Sequence, residues 1–352
     1  MSIGERIKGA RVKTGMSQRD LARKLGISPQ AISYFERNMK TPNSTRLLEI
    51  SKILEVKIEY FFRSTQINLS EPIFRCDLPI KKKEEKRILA EVTDWLERYL
   101  TIEMIIGETS EYKTPEINVE VNSYSDVEQI AIELRKYWNL GFDSIDSLTD
   151  TLEDQGIKVH NIESDLAYDA LFVKNNNNLP VIIIKKCEKG DRQRLSIAHE
   201  LGHLLLSVNS QLDNEKVAYR FGAAFIFPKD TVIKEIGSKR QNLSIFELYD
   251  LKQKYGLSMQ SILHRAEELE IISHSKEREI RKIFVDNNWE ETEPGKAYPP
   301  EINTKMELLI YRALAEKLIS INRAKEIMGN LTQIKLCRDK ENVDTKAMLL
   351  DS

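Results

Sequence analysis

Near the middle of the chain stands His199-Glu200-Leu201-Gly202-His203, set among Leu195, Ile197, Ala198, Leu204, Leu205 and Leu206. On an α-helix, positions i and i+4 share a face, so two imidazoles at 199 and 203 can converge on one metal ion. Glu200, one residue along, then stands beside them where it can take a proton from water. The flanking apolar residues require that this helix, about Arg192 to Leu206, be buried. A chain with this pattern must therefore fold around a largely buried helix that keeps one polar face turned to a site.

A catalytic zinc takes three protein ligands and leaves a fourth position for water. A third His six residues after His203, with Gly three after it, would mark a metzincin, but Leu206 and Asn209 occupy those positions. His160, His264 and His274 have no helpful spacing. Twelve residues beyond His203, Glu215 heads a second helical face with Ala218 and Gly222, whose small side chains let that helix come close. Glu215 is the expected third ligand, with Asp213 as a weaker substitute.

The motif and the second helix together resemble the ImmA/IrrE metallopeptidases. The resemblance rests on Arg194, Ala198, His199, Glu200, Leu201, Gly202 and His203, then Glu215, Ala218, Phe221, Phe225 and Pro228. It runs well from about residue 125 to 275, where Tyr255-Gly256, Ser258-Met259, Ser261-Ile262 and Arg265 continue it, and loosely to 330. It implies a gluzincin-like zinc site on an α+β zincin-like domain, with His199, His203 and Glu215 on zinc and Glu200 in catalysis. Gly222 stands where that family commonly has Ala, which is expected to loosen the helix packing. For the oxyanion, Tyr168, Arg220, His264 and Arg265 are candidates.

The sequence before the motif supplies the sheet. Ile157–Val159, Ala170–Val173 and Val181–Ile184 read as short strands, the last two joined through a turn at Asn175 to Asn178. The hairpin offers an edge to an extended substrate strand. Ser125 with Glu128 reads as a capping box for a helix carrying Val127, Ile130, Leu134 and Trp138. From Asp191 onward the chain is mostly helical.

The first 63 residues are of another kind. They carry 13 Lys/Arg against 6 Asp/Glu, or +7, whereas the remainder carries 40 against 49, or −9. A basic head on an acidic body points to a polyanion for the head alone. Ser17 caps a helix ending at Gly26, Ser28 with Pro29 opens the next, and Asn43 or Ser44 opens a fourth. Ser17-Gln18, Leu21-Ala22, Leu25-Gly26-Ile27-Ser28, Ile32-Ser33, Glu36 and Pro42 before Leu47, Ile50 and Leu54 resemble the XRE family of helix-turn-helix domains. That resemblance implies a double-stranded DNA operator, with Ser28, Gln30, Ser33 and Tyr34 facing the major groove. Gln18 and Arg19 would hold phosphates.

Between the two, Pro72 and Pro79 mark a linker and the expected place for any self-cleavage. Ile88, Val92, Trp95, Leu96, Tyr99 and Leu100 form one helical stripe beyond it, either core packing or a seam that pairs two chains or docks the head. The expected division is 1–63 head, 64–124 linker and amphipathic helix, 125–275 peptidase-like domain, and 276–352 helical C-terminal region. The fold class is multidomain: an all-α head plus an α+β domain with a small sheet. No run of about 18 apolar residues argues for a membrane span, and three scattered cysteines exclude a disulfide framework, so a cytoplasmic protein is expected. The functional expectation is a transcriptional regulator with a zinc endopeptidase that cleaves a repressor or partner in a stress, prophage or toxin–antitoxin response. The alternative is a repressor or antitoxin whose second domain senses or binds a toxin or other partner without cutting. A homodimer fits either.

Overall fold

A computed structural model of the chain describes residues 2–63, 67, 69, 81–109, 111–163 and 169–329. The Pro72–Pro79 linker with its expected cleavage, Tyr168, and the last 23 residues of the expected C-terminal region lie outside them.

The head is four short helices, α1 (Ile3–Lys13), α2 (Gln18–Leu25), α3 (Pro29–Glu36) and α4 (Ser44–Ile53), closed by a 3-10 turn at Ile58–Phe62. Each helix starts on a side chain that accepts a hydrogen bond from an otherwise orphaned backbone N–H: Ser2, Ser17, Ser28 and Asn43. The turn between α2 and α3 needs a left-handed residue, and Gly26 takes it at φ 64°. Ile7, Ala10, Leu21, Ala22, Ile32, Leu47, Ile50 and Phe61 form the head's own core.

The body continues as α5 (Lys82–Ile106), β1 (Glu120–Val121), α6 (Tyr124–Tyr137), α7 (Leu148–Asp154), β2 (Lys158–Ile162), β3 (Ala170–Lys174) and β4 (Pro180–Lys185). Then come α8 (Gly190–Leu205), β5 (Ser207–Val208), α9 (Asn214–Ile226), α10 (Lys229–Ile236), α11 (Ile245–Tyr255), α12 (Met259–Glu268), α13 (His274–Asp286), α14 (Lys305–Ala315) and α15 (Ile321–Met328). The main sheet has the order β2-β4-β3, with β2 parallel and β3 antiparallel to the central strand. The β3–β4 hairpin is the expected one, its turn held by Asn175 Oδ1, which accepts from the N–H groups of Asn177 and Leu179. A second pair, β1 with β5, runs beside the end of α8.

Because strand side chains alternate, the sheet presents two apolar faces. Val159, Phe172, Ile182 and Ile184 pack with α6, α8 and α9 in the larger core. Ile162, Leu171, Val173, Val181 and Ile183 face the other way, onto Ile88, Val92, Trp95, Leu96 and Tyr99 of α5 and onto α14 and α15. The α5 stripe is thus interior to this chain, which bears out the core-packing reading over a seam between chains. The helix after β1 also starts differently: its cap is Ser123 with Asp126, and Glu128 is buried against Arg265.

The polar side of α5 takes the head. Arg6 of α1 pairs with Glu97, and both side chains are 2% exposed or less. Lys13 Nζ lies 2.5 Å from Asp94 and Arg63 Nη1 lies 2.9 Å from it. Burial alone pushes the Asp94 carboxyl up, but Arg98, Lys13 and Arg63 around it pull it down to about 2. Removing one partner of a buried pair strands the other charge, which costs far more than the pair contributes. Glu97→Ala should therefore destabilise the chain by about 3–5 kcal/mol in denaturant unfolding, whereas the apolar double replacement Arg6→Met with Glu97→Leu should recover most of that loss.

Candidate metal centre

The motif helix α8 is fixed at its start by chain from far along the sequence. Glu301 pairs with Arg194 of α8 and accepts from the backbone of Leu148 and Thr149 at the start of α7, 3.1 and 3.2 Å away. Gly190 donates to the Tyr298 carbonyl at 3.0 Å. Lys252 of α11 bridges Asp191 at 2.7 Å and Glu293 at 2.8 Å.

Against this anchored helix lies α9, closer than ordinary side chains permit. A Cβ at Gly222 would sit 3.0 Å from the His199 nitrogen and 3.2 Å from the Ala198 carbonyl carbon. A Cβ at Gly202 of the facing helix would meet Phe221 at 3.1 Å and the Ala218 Cα at 3.3 Å. Gly222 therefore tightens the helix pair, contrary to the expectation that it loosens it.

That contact decides where Glu215 goes. Its carboxylate oxygens lie 3.2 Å from His199 Nε2 and 3.2 Å from His203 Nε2, and the two ring nitrogens are 2.9 Å apart. Among the described residues these three are the group whose ligand atoms all lie within 4.8 Å of one another. Asp213 is otherwise engaged: as the cap of α9 it accepts from the N–H groups of Glu215 and Lys216 at 3.0 and 3.2 Å.

Burial first, and the neighbouring His203 second, push His199 down to about 3, so the ring is neutral at physiological pH. Neutral imidazoles are the form that binds a metal. Two imidazole nitrogens and one carboxylate aimed at a common point fit a divalent cation of the zinc type. The carboxylate side is open, since the Glu215 side chain is 39% exposed. Glu200 sits on the same helical turn, 8% exposed.

The oxyanion candidates have other partners. Arg265 is fully buried, donates to Glu128 at 2.6 Å and to the Phe227 carbonyl at 2.7 Å, and so ties α12 to α6 and α9. Arg220 reaches the same Glu128 at 3.2 Å, and His264 is exposed beside Glu267 and Glu268. Sequence reasoning passed over Tyr219, whose ring centre lies 4.0 Å from that of His199 and which is 52% exposed. Its place four residues after Glu215, on the same face of α9, was the available signal.

In the head, Ser28, Gln30 and Arg19 remain exposed in the whole chain, and Ser33 and Tyr34 are half-buried. Gln30 donates to the Tyr34 hydroxyl at 2.7 Å. Gln18 donates to Glu36 at 2.7 Å, joining the Arg11–Glu36 pair.

Comparison with known proteins matches two separate segments of the chain. Residues 7–61 match the family model for helix-turn-helix domains, and residues 152–267 match that for the IrrE N-terminal-like domain, a metallopeptidase family. The chain therefore joins a helix-turn-helix domain to an IrrE N-terminal-like, metallopeptidase-like domain. Over 68 residues it is 34% identical to the HTH-type transcriptional regulator ImmR of Bacillus subtilis, covering 19% of this chain and 54% of that protein. It is 38% identical over 60 residues to a transcriptional regulator in the ATPase CF(0) region of Rhodospirillum rubrum, 17% of this chain and 56% of the other. With the repressor protein C2 of Salmonella phage P22 it shares 38% over 61 residues, 17% and 28% of the two chains. The chain spans about half the length, or less, of these relatives. No helix among the described residues is long and apolar enough to cross a membrane.

The tight helix contact carries a test. Gly222→Leu has no room between α8 and α9, and forced overpacking of this kind typically costs about 1–3 kcal/mol. Chemical denaturation should show that loss, and the variant should bind a divalent metal more weakly because Glu215 is carried away from the two histidines.

Proposed function

We propose that this chain is a DNA-binding transcriptional regulator whose second domain is a zinc-dependent endopeptidase acting on a protein partner. The observation that carries the reading is the convergence of His199, His203 and Glu215 with Glu200 on the same helix. When bound, zinc would lower the pKa of water from 15.7 to about 7 and polarise a peptide carbonyl. His199, His203 and Glu215 would hold the ion, and Glu200 would accept a proton from the attacking water and pass it to the leaving amine. An extended substrate would lie along β3, the outer strand on the hairpin side of the sheet. A repressor or toxin partner in a stress, prophage or toxin–antitoxin response is the substrate class that suits a peptidase tied to a DNA-binding head.

The metal reading is tested by elemental analysis after zinc reconstitution. One zinc per chain is expected, and His203→Ala should lose it. Glu200→Gln should retain the metal, and a proteomic comparison of cells carrying it or the wild type should show a protein that persists only with the variant. Metal binding without any such protein would favour a sensing domain that does not cut.

For the head, Gln30 would pair with adenine through N6 and N7, and Arg19 would meet phosphate. Gln30→Ala should weaken the preferred operator by about 1–3 kcal/mol and leave random DNA unchanged, while Arg19→Ala should weaken both alike. Binding titrations on the two DNAs read the difference, and equal losses for Gln30→Ala would remove it from base readout.

A further inference from the structure

The lysines at the start of α5 take no part in the metal centre. Lys82, Lys83 and Lys86 are exposed and enter no ion pair among the described residues, whereas Arg87 beside them is held by Glu84 and Glu91. A charged run of this kind is ordinarily only a solvated face. Its position against the head gives it another use.

Helical spacing sets which way these side chains lie. Positions 83, 86, 90, 94 and 97 follow one another at steps of three or four residues, so Lys83 and Lys86 share the face of α5 that carries Asp94 and Glu97. That face receives the head. Glu85 instead continues the apolar series 88, 92, 96 and 99 that is turned to the sheet.

The direction of the seam brings the start of α2 to the same place. Arg6, early in α1, pairs with Glu97, and Lys13, at the end of α1, pairs with Asp94. The seam thus moves toward the start of α5 as α1 runs toward its end, and Ser17 with Gln18 then opens α2. From Asp94 back to Lys83 is about three turns of helix. The Asp20 carboxyl, in the first turn of α2, is lowered chiefly by its hydrogen bonds with Ser17, and Lys83 adds to the lowering from across the gap. Arg19, next to it, is exposed on the helix that crosses the DNA backbone in helix-turn-helix domains.

We propose that Lys82, Lys83 and Lys86 extend the DNA interface of the head onto the body, holding phosphates of the same duplex beside those met at the start of α2. The surface fits DNA by charge and by continuity with the head, and it reads no bases. A docked head then meets DNA together with α5, whose lysines stand in for the cations that the seam neutralises. The proposal rests on the DNA-binding reading of the head and is independent of the metal centre.

Fluorescence anisotropy of the full chain on a random-sequence duplex of about 40 base pairs, roughly four helical turns, tests it between about 50 and 200 mM KCl. The combined variant Lys82→Gln, Lys83→Gln and Lys86→Gln should flatten the plot of log K against log salt by about 2 to 3 in slope, and Lys83→Gln alone by about 1. Arg at all three positions should keep the wild-type slope. A control with the same loss of charge on helices of the larger core, Lys229→Gln, Lys234→Gln and Lys282→Gln, should keep it as well. Circular dichroism confirms folding, which substitutions at exposed positions should preserve. An unchanged slope in the α5 variant, or an equal flattening in the control, would overturn the proposal. Weaker binding to heparin with an unchanged slope on DNA would also overturn it, by assigning these lysines to another polyanion. A wild-type chain that binds no duplex DNA would overturn the reading of the head itself, and the proposal with it.

Discussion

The closeness of α8 and α9 is the constraint on which the candidate metal centre rests. The two histidines share a face through helical geometry alone, but the Glu215 carboxylate that meets them comes from another helix and is only as well placed as the packing between them. Gly202 and Gly222 supply that packing by leaving out the atoms that would hold the helices apart. Everything around them acts to keep α8 from shifting in response. Arg194, Gly190 and Asp191 tie its first turn to chain more than a hundred residues away or to α11, and the sheet backs it. The site is therefore assembled by the whole body, although its ligands span only 17 positions of sequence.

Two very different faces make α5 the joint of the molecule. Its apolar stripe closes the second face of the sheet, and its charged face receives the head through Arg6–Glu97 and the Asp94 cluster. A seam built from buried ion pairs is demanding about register, since each charge needs its own partner in low dielectric. It specifies one arrangement of head on body more sharply than an apolar seam of the same size would. The same elements, α14 and α15, that finish the core behind α5 also reach the seam through Glu326 and the carbonyls after it.

How much of this is legible in the sequence depends on the range of the interactions involved. The histidine pair, the helix caps of the head and the β3–β4 hairpin are set within a few residues of chain, and each stands where the pattern puts it. The place of Glu215 beside the histidines is reachable because small residues on a helical face announce a close neighbour. Glu301, by contrast, is an ordinary acidic residue in a proline-rich loop, and nothing local tells that it caps α7 and grips Arg194. Glu128 misleads for the same reason: its spacing from Ser125 suits a cap, but a buried Arg265 from 137 residues away has the stronger claim on its carboxylate. The α5 stripe is legible as apolar, while its partner depends on a sheet that forms only when β2, β3 and β4 meet.

The charge asymmetry between head and body takes on a different meaning once the seam is known. Of the head's 13 basic residues, Arg6, Lys13 and Arg63 face acids of α5 or α15, and Arg11 is held by Glu36 inside the head. These cations are neutralised within the protein and release no counterions when a polyanion arrives. The +7 of the head overstates the field that DNA would meet, and the salt dependence of binding should reflect the exposed set, Arg19 among them, and not the full count. Part of the body's −9 is correspondingly the complement of the head and not a free acidic surface.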